Sequence, residues 1–166
     1  LNFKKIFNTI KKDVYSENKT INILNKNFKF NFKIKELKKF QNFKTIALIG
    51  MGGSILGAAA INNFLQKKIS KKIYFFDNLD ENKILEFKKK ENISKVLFLI
   101  ISKSGNTVET LSNAFLLNIF KKKAKNVIII SEKNDNLLFN ISKKLNLFHV
   151  KHRNYVGGRY SVLSEV

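Results

Sequence analysis

The amino-acid sequence predicts an α/β fold: a doubly wound parallel sheet flanked by helices. Three observations carry this reading. From residue 43 onward, apolar runs alternate with stretches of helical period. The runs are continuous rather than alternating, as strands covered by helices on both faces require. Most of them stop at a glycine, aspartate or serine, where a strand gives way to a loop. Repeated strand–helix units of this kind favour parallel pairing with right-handed crossovers.

The elements follow in order. Residues 1–42 are rich in Lys and Asn and mostly helical in period: Phe3, Ile6, Phe7 and Ile10 share one helical face, and Ile34, Leu37 and Phe40 another. Between them, Phe28–Phe32 alternates like a short strand or an extended arm. This part is expected to be a helical lead-in that packs on the main body. Strands are then expected over Thr45–Ile49, Ile73–Phe76, Val96–Ile101, Asn126–Ile130 and Leu147–Val150. Helices are expected over Ser54–Gln66, about Asp80–Glu91, about Thr107–Lys121 and about Asp135–Lys144. In such sheets ligands lie beyond the carboxyl ends of the strands, near the point where strand order reverses. That directs attention to Gly50–Gly57, Asp77, Ser102–Thr107 and Ser131.

Composition narrows the class. With 166 residues, 44% hydrophobic and 27% charged, the chain is long enough for one real core and reads as globular. It has no Cys, which removes disulfides and thiolate metal sites and fits a reducing, cytoplasmic setting. The stretch Ile46–Ile61 is shorter than the ~20 residues a membrane helix needs, and glycines interrupt it. The N-terminus lacks the apolar core of a signal peptide. A net charge of +20 invites a nucleic-acid reading. However, the lysines are scattered and no aromatic stripe separates them as a base-stacking platform would need. Abundant Lys, Asn, Ile and Phe are also what AT-rich codons produce. No nucleic-acid or membrane partner and no cofactor is expected. The same bias makes scarce codons informative: all seven glycines fall in three places, and the two arginines are Arg153 and Arg159. The chain starts with Leu and stops at Ser164-Glu165-Val166, partway through an apparent helix, so it is expected to be a fragment at both ends.

Three loops carry the chemistry. Gly50-Met-Gly-Gly-Ser-Ile-Leu-Gly57 joins a strand to a helix; glycines allow close backbone approach, and Ser54 adds a hydroxyl at a helix start, where free amides attract anions. Alone, this loop could equally be a dinucleotide fingerprint, although Gly50, Gly52 and Gly57 do not fit the spacing G-x-G-x-x-G; tight helix–strand packing is the lesser alternative. Ser102-Lys-Ser-Gly-Asn-Thr-Val-Glu-Thr110 gathers hydroxyls, one cation and a helix N-terminus, the ingredients of a nest for a phosphomonoester. Its lysine precedes the glycine, which argues against a nucleoside triphosphate loop. Asn106 and Glu109 read as an N-cap and its capping box. Val156-Gly-Gly-Arg-Tyr-Ser-Val-Leu-Ser164 allows a sharp turn that presents Arg159, a cation suited to an oxyanion; by itself it reads as a surface turn. His149 and His152 are expected to be structural or exposed.

Taken together and in order, the three loops resemble the glucose-6-phosphate isomerase family. Its first sugar-isomerase (SIS) domain, a flavodoxin-like three-layer sandwich, carries G-x-G-G-S-x-L-G, then S-K-S/T-x-x-T-x-E-T, then G-G-R-F/Y-S. The resemblance runs from about residue 43 to the last residue. It implies a lead-in over residues 1–42, a sugar-phosphate-binding domain over 43–153, and over 154–166 the start of a segment leading to a second such domain. It further implies that Gly53, Ser54 and Gly158 lie against a sugar-phosphate substrate. Ser102, Lys103, Ser104 and Thr107 would bind its phosphate, and Arg159 would stabilise an enediolate. The family's glutamate base and histidine would lie beyond residue 166, and the full-length protein would be a homodimer. Glu165 stands where the family has a small residue and is expected to have no role; Met51 for the usual Ile is expected to matter little.

Overall fold

The structure is a computed structural model and describes residues 2–166. Among these residues five strands form one all-parallel sheet: β1 (Thr45–Gly50), β2 (Lys72–Phe76), β3 (Val96–Ile101), β4 (Val127–Ser131) and β5 (Phe148–Lys151), in the order β2-β1-β3-β4-β5. β1 pairs with β2 on one edge and β3 on the other, with Gly50 level with Ile101. Strand order therefore reverses between β1 and β3. The loops leaving these two strands, Gly50–Gly57 and Ser102–Thr107, begin side by side at the switch point.

Side-chain alternation along each strand divides the core in two. Ala47, Ile49, Phe76, Phe98, Ile100 and Ile129 face α4 (Glu81–Lys90), α5 (Val108–Leu116) and α6 (Leu137–Leu145), and pack on Ile84, Phe87, Leu111 and Leu138. Phe87 anchors this side, with ring centroids 4.8 Å from Tyr74, 5.1 Å from Phe76 and 6.2 Å from Phe98. Truncating it to Ala would cost about 3–5 kcal/mol. Leu48, Leu97, Ile101, Ile128, Ile130 and Val150 face the other way, towards Ile55 of α3 (Gly53–Phe64) and Phe40. A single helix cannot cover five strands, and the N-terminal segment supplies the rest: Phe40 packs edge-on against Phe148 at 5.4 Å. That segment contains α1 (Phe3–Tyr15), the short α2 (Ile34–Leu37) and a connecting arm.

Several expectations shift. Of the two readings of Phe28–Phe32, the extended arm holds and the strand does not: Phe28 meets Phe30 edge-on and Phe30 stacks on Phe32. α5 ends at Leu116 rather than near Lys121, because Asn118 takes a left-handed conformation with φ 54° that a helix cannot continue through. The last residues form no α-helix: Gly158–Leu163 is a 3-10 turn, and the chain leaves it at Ser164 with ψ −129°. No helix among the described residues is long and apolar enough to cross a membrane.

Candidate functional site

The first loop places Gly53 at the opening of α3, and the packing there tolerates no side chain. A Cβ on Gly53 would fall 2.5 Å from the carbonyl carbon of Gly158 and closer still to the backbone nitrogen of Arg159. The third loop is thus seated on the first by glycine-to-glycine backbone contact. Gly158 lies over the Gly53–Ser54 peptide, its carbonyl accepts the Ser161 hydroxyl at 2.6 Å, and Ser161 is buried. Ser54 is half-buried at the helix start.

The second loop turns tightly over the end of β3. Ser102 is buried and forms the hub: its hydroxyl lies 2.9 Å from that of Thr107 and 3.5 Å from that of Ser104, and it accepts the Gly105 N–H at 3.2 Å. Ser104 accepts the Asn106 N–H at 3.3 Å. Gly105 has φ +69°, and a side chain there would overlap Asn136. Asn136 is itself buried; its amide donates to Glu132 O at 2.8 Å and its carbonyl oxygen caps α6 through the Phe139 N–H at 2.9 Å. The turn is therefore braced from β4 and α6. Three hydroxyls converge at the N-terminal end of α5, where the helix dipole adds positive potential. Such a cluster can donate to a tetrahedral dianion at little reorganisation cost.

The sequence-predicted residues do not all behave as expected. Asn106 does not cap α5, whose N-cap is Thr107 without a side-chain bond; its Oδ1 accepts the Leu137 N–H at 2.9 Å and so closes the first turn of α6. Glu109 is exposed and makes no capping box. Lys103 reaches towards Glu132, 3.8 Å away, which holds it beside the turn. Arg159 is exposed, and among the described residues no hydrogen bond or ion pair engages its side chain. Its link to the Ser102 turn runs through the start of α3, because the turn and α3 both rise from the switch point.

Glu165 is the clearest correction, since it has a partner. Its side chain is fully buried (0% exposed) and accepts Arg153 Nε at 3.1 Å and the Asn31 N–H at 3.2 Å. The two histidines also resolve. His149 Nε2 lies 2.9 Å from the Ser131 hydroxyl, and burial, with the charge of Lys133, pushes its pKa down to about 4. His152 is buried, and burial lowers its pKa. Its Nδ1 sits 2.8 Å from the Arg153 carbonyl and so carries the proton, leaving Nε2 an acceptor without a partner. Sequence reasoning missed Glu132, Asn136 and the Arg153–Glu165 pair. Ser131 at the end of β4 pointed to the neighbourhood of the first two, and the scarcity of arginine pointed to the third.

A concavity lies at the opposite end of the sheet. It measures about 560 Å³, sits at the amino ends of the strands and is lined by Asn42, Lys44, Glu91 and Lys95. The candidate site is a surface face, on which Ser104 and Arg159 are exposed.

Comparisons with known proteins bear on this face. The family model described as phosphoglucose isomerase matches residues 5–166. The chain is 38% identical over 173 positions to a probable glucose-6-phosphate isomerase of Methanococcus maripaludis, covering 98% of this chain and 39% of that protein. It is 35% identical to the glucose-6-phosphate isomerase of Methanocaldococcus jannaschii, over 80% of this chain and 33% of the relative. Its fold matches a crystal structure of a glucose-6-phosphate isomerase from Chlamydia trachomatis with TM-score 0.67 and 26% identity, over 78% of this chain and 26% of the other. A hypothetical protein from Thermus thermophilus shares the fold at TM-score 0.66 and 19% identity, over 97% of this chain and 42% of that one. The chain spans less than half the length of each of these relatives.

Proposed function

The chain belongs to the phosphoglucose isomerase family, and on that premise we propose that it supplies the phosphate grip and the enediolate-stabilising cation of an enzyme interconverting glucose 6-phosphate and fructose 6-phosphate. The observation that carries the proposal is the convergence of the Ser102, Ser104 and Thr107 hydroxyls beside a helix start on which Gly158–Arg159 is seated. The relatives, a probable and a named glucose-6-phosphate isomerase, support the same reaction.

The roles divide by charge. The phosphate, a dianion at neutral pH, takes the three hydroxyls and the α5 amides, with Lys103 released from Glu132 to approach it. The reaction moves a proton from C2 of the aldose to C1 of the ketose, with an enediolate between them. The guanidinium of Arg159 stabilises the oxygen on which negative charge develops. A carboxylate base must take the proton. The family resemblance implies that this base is a glutamate beyond residue 166, and on that reading this chain binds phosphosugar without turning it over. The full-length protein acts in the cytoplasm, in glycolysis and gluconeogenesis, as a homodimer.

The test is to purify the chain, titrate it with fructose 6-phosphate, and follow solvent deuterium incorporation at C2 of glucose 6-phosphate. Binding without exchange is expected. Rapid exchange would place the base within these residues, and absence of any phosphate-dependent binding would remove the proposal.

A further inference from the structure

Arg153 is one of two arginines in a chain whose other cations are lysines, and the proposed substrate site does not use it. Each of its three guanidinium nitrogens nonetheless donates a hydrogen bond. Nε donates to Glu165 Oε1 at 3.1 Å, one terminal nitrogen donates to the Tyr155 hydroxyl at 3.2 Å, and the other donates to the Lys29 carbonyl. The Phe28 ring lies 4.6 Å from its central carbon. A lysine could not hold these positions at once, because it lacks the planar fork of donors. Glu165 in turn accepts the Asn31 N–H. Two further bonds tie the N-terminal segment to the exit of β5: the Thr20 hydroxyl to Tyr155 O at 2.9 Å, and the Asn31 amide to Lys151 O at 3.0 Å.

The placement of this pair in the chain is what matters. Arg153 and Glu165 lie on either side of Gly157–Ser161, so their ion pair closes the segment bearing Arg159 into a loop, and the arm Phe28–Asn31 clasps the closure from outside. A buried ion pair is weak evidence for stability, because desolvation offsets its attraction; its best-supported use is to fix one arrangement over others. We propose that Arg153 and Glu165 are positioning residues that hold the Gly158–Arg159 peptide on Gly53, and thereby fix where the Arg159 charge stands relative to the phosphate grip. This rests on the role given to Arg159 above. It also assigns the N-terminal arm a function at the site.

Two readouts test it on the purified chain, with R153Q and the double variant R153L/E165A, the latter leaving no unpaired buried charge. The first is independent of ligand: amide exchange at Tyr160 and Ser164, whose N–H groups donate inside the 3-10 turn, is expected to accelerate about tenfold or more while β3 is unchanged. The second compares inorganic phosphate with 6-phosphogluconate, whose carboxylate stands in for the anionic carbon end of the substrate. The native chain is expected to prefer 6-phosphogluconate. The variants should lose about tenfold in affinity for it while binding phosphate within about twofold of native, with R153K intermediate. Equal weakening of both ligands, or unchanged exchange at Tyr160 and Ser164, would overturn the proposal. If the native chain binds neither ligand, the substrate reading falls, and the exchange data alone decide for or against the clasp.

Discussion

Gly53 and Arg159 touch through their backbones: the Cα of Gly53 at the start of α3 faces the Gly158–Arg159 peptide with no room for a methyl group between them. The contact lies between two backbones, neither of which can rotate away.

Gly53→Ala is therefore expected to push the 3-10 turn off α3. The cost in stability should be about 1–3 kcal/mol, as for other overpacked sites, and it should show as a lower midpoint in urea. Affinity for 6-phosphogluconate should fall more than affinity for inorganic phosphate. A variant as stable and as selective as the native chain would mean that the contact is looser than described.

The hub position of Ser102 makes a second test. Ser102→Ala removes the hydroxyl that holds those of Thr107 and Ser104 together, and phosphate affinity is expected to fall about tenfold or more. Thr107→Val, which removes one donor at the rim, should cost less. Calorimetric titration reads both, and equal affinities in all three chains would detach this turn from phosphate binding.

Asn106 separates two capping schemes. Its side chain closes α6 through Leu137, not α5. Asn106→Ala should lower stability by about 1 kcal/mol and speed amide exchange at Leu137, leaving the first turn of α5 as it was. Faster exchange at the start of α5 instead would restore the local capping box that the sequence suggested.

His149 sets an acid limit. Burial and Lys133 hold its folded pKa at about 4, below the ordinary 6.5. The unfolded chain therefore binds the extra proton first as pH falls. Its contribution is fully present above pH 6.5 and is lost between 6.5 and 4. His152, also lowered by burial, acts in the same direction. Urea unfolding across this range should show that slope in the native chain and a flatter one in His149→Gln; parallel curves would refute the assignment.

Much of the fold was legible because its strands are buried on both faces. Val96–Ile101 reads as a strand and is one with the same bounds, since six consecutive apolar residues have nowhere to go but the middle of the sheet. Glycine clusters marked the places where backbones meet. The alternating Phe28–Phe32 left a short strand and an extended arm both open; its rings pack on each other and on Arg153, so it is the arm and takes no place in the ladder.

Sequence alone determined the parallel layered architecture, the three loops and the family, because each is written in neighbouring residues: apolar runs, helical period, glycines where a side chain cannot fit. Only the tertiary structure decided which side chains meet. Lys103 with Glu132, Asn106 with Leu137 and Arg153 with Glu165 are pairs chosen by which loops the sheet order brings together. A hydrogen bond depends on distances of a few ångströms, and separation along the chain says nothing about those until the backbone is folded.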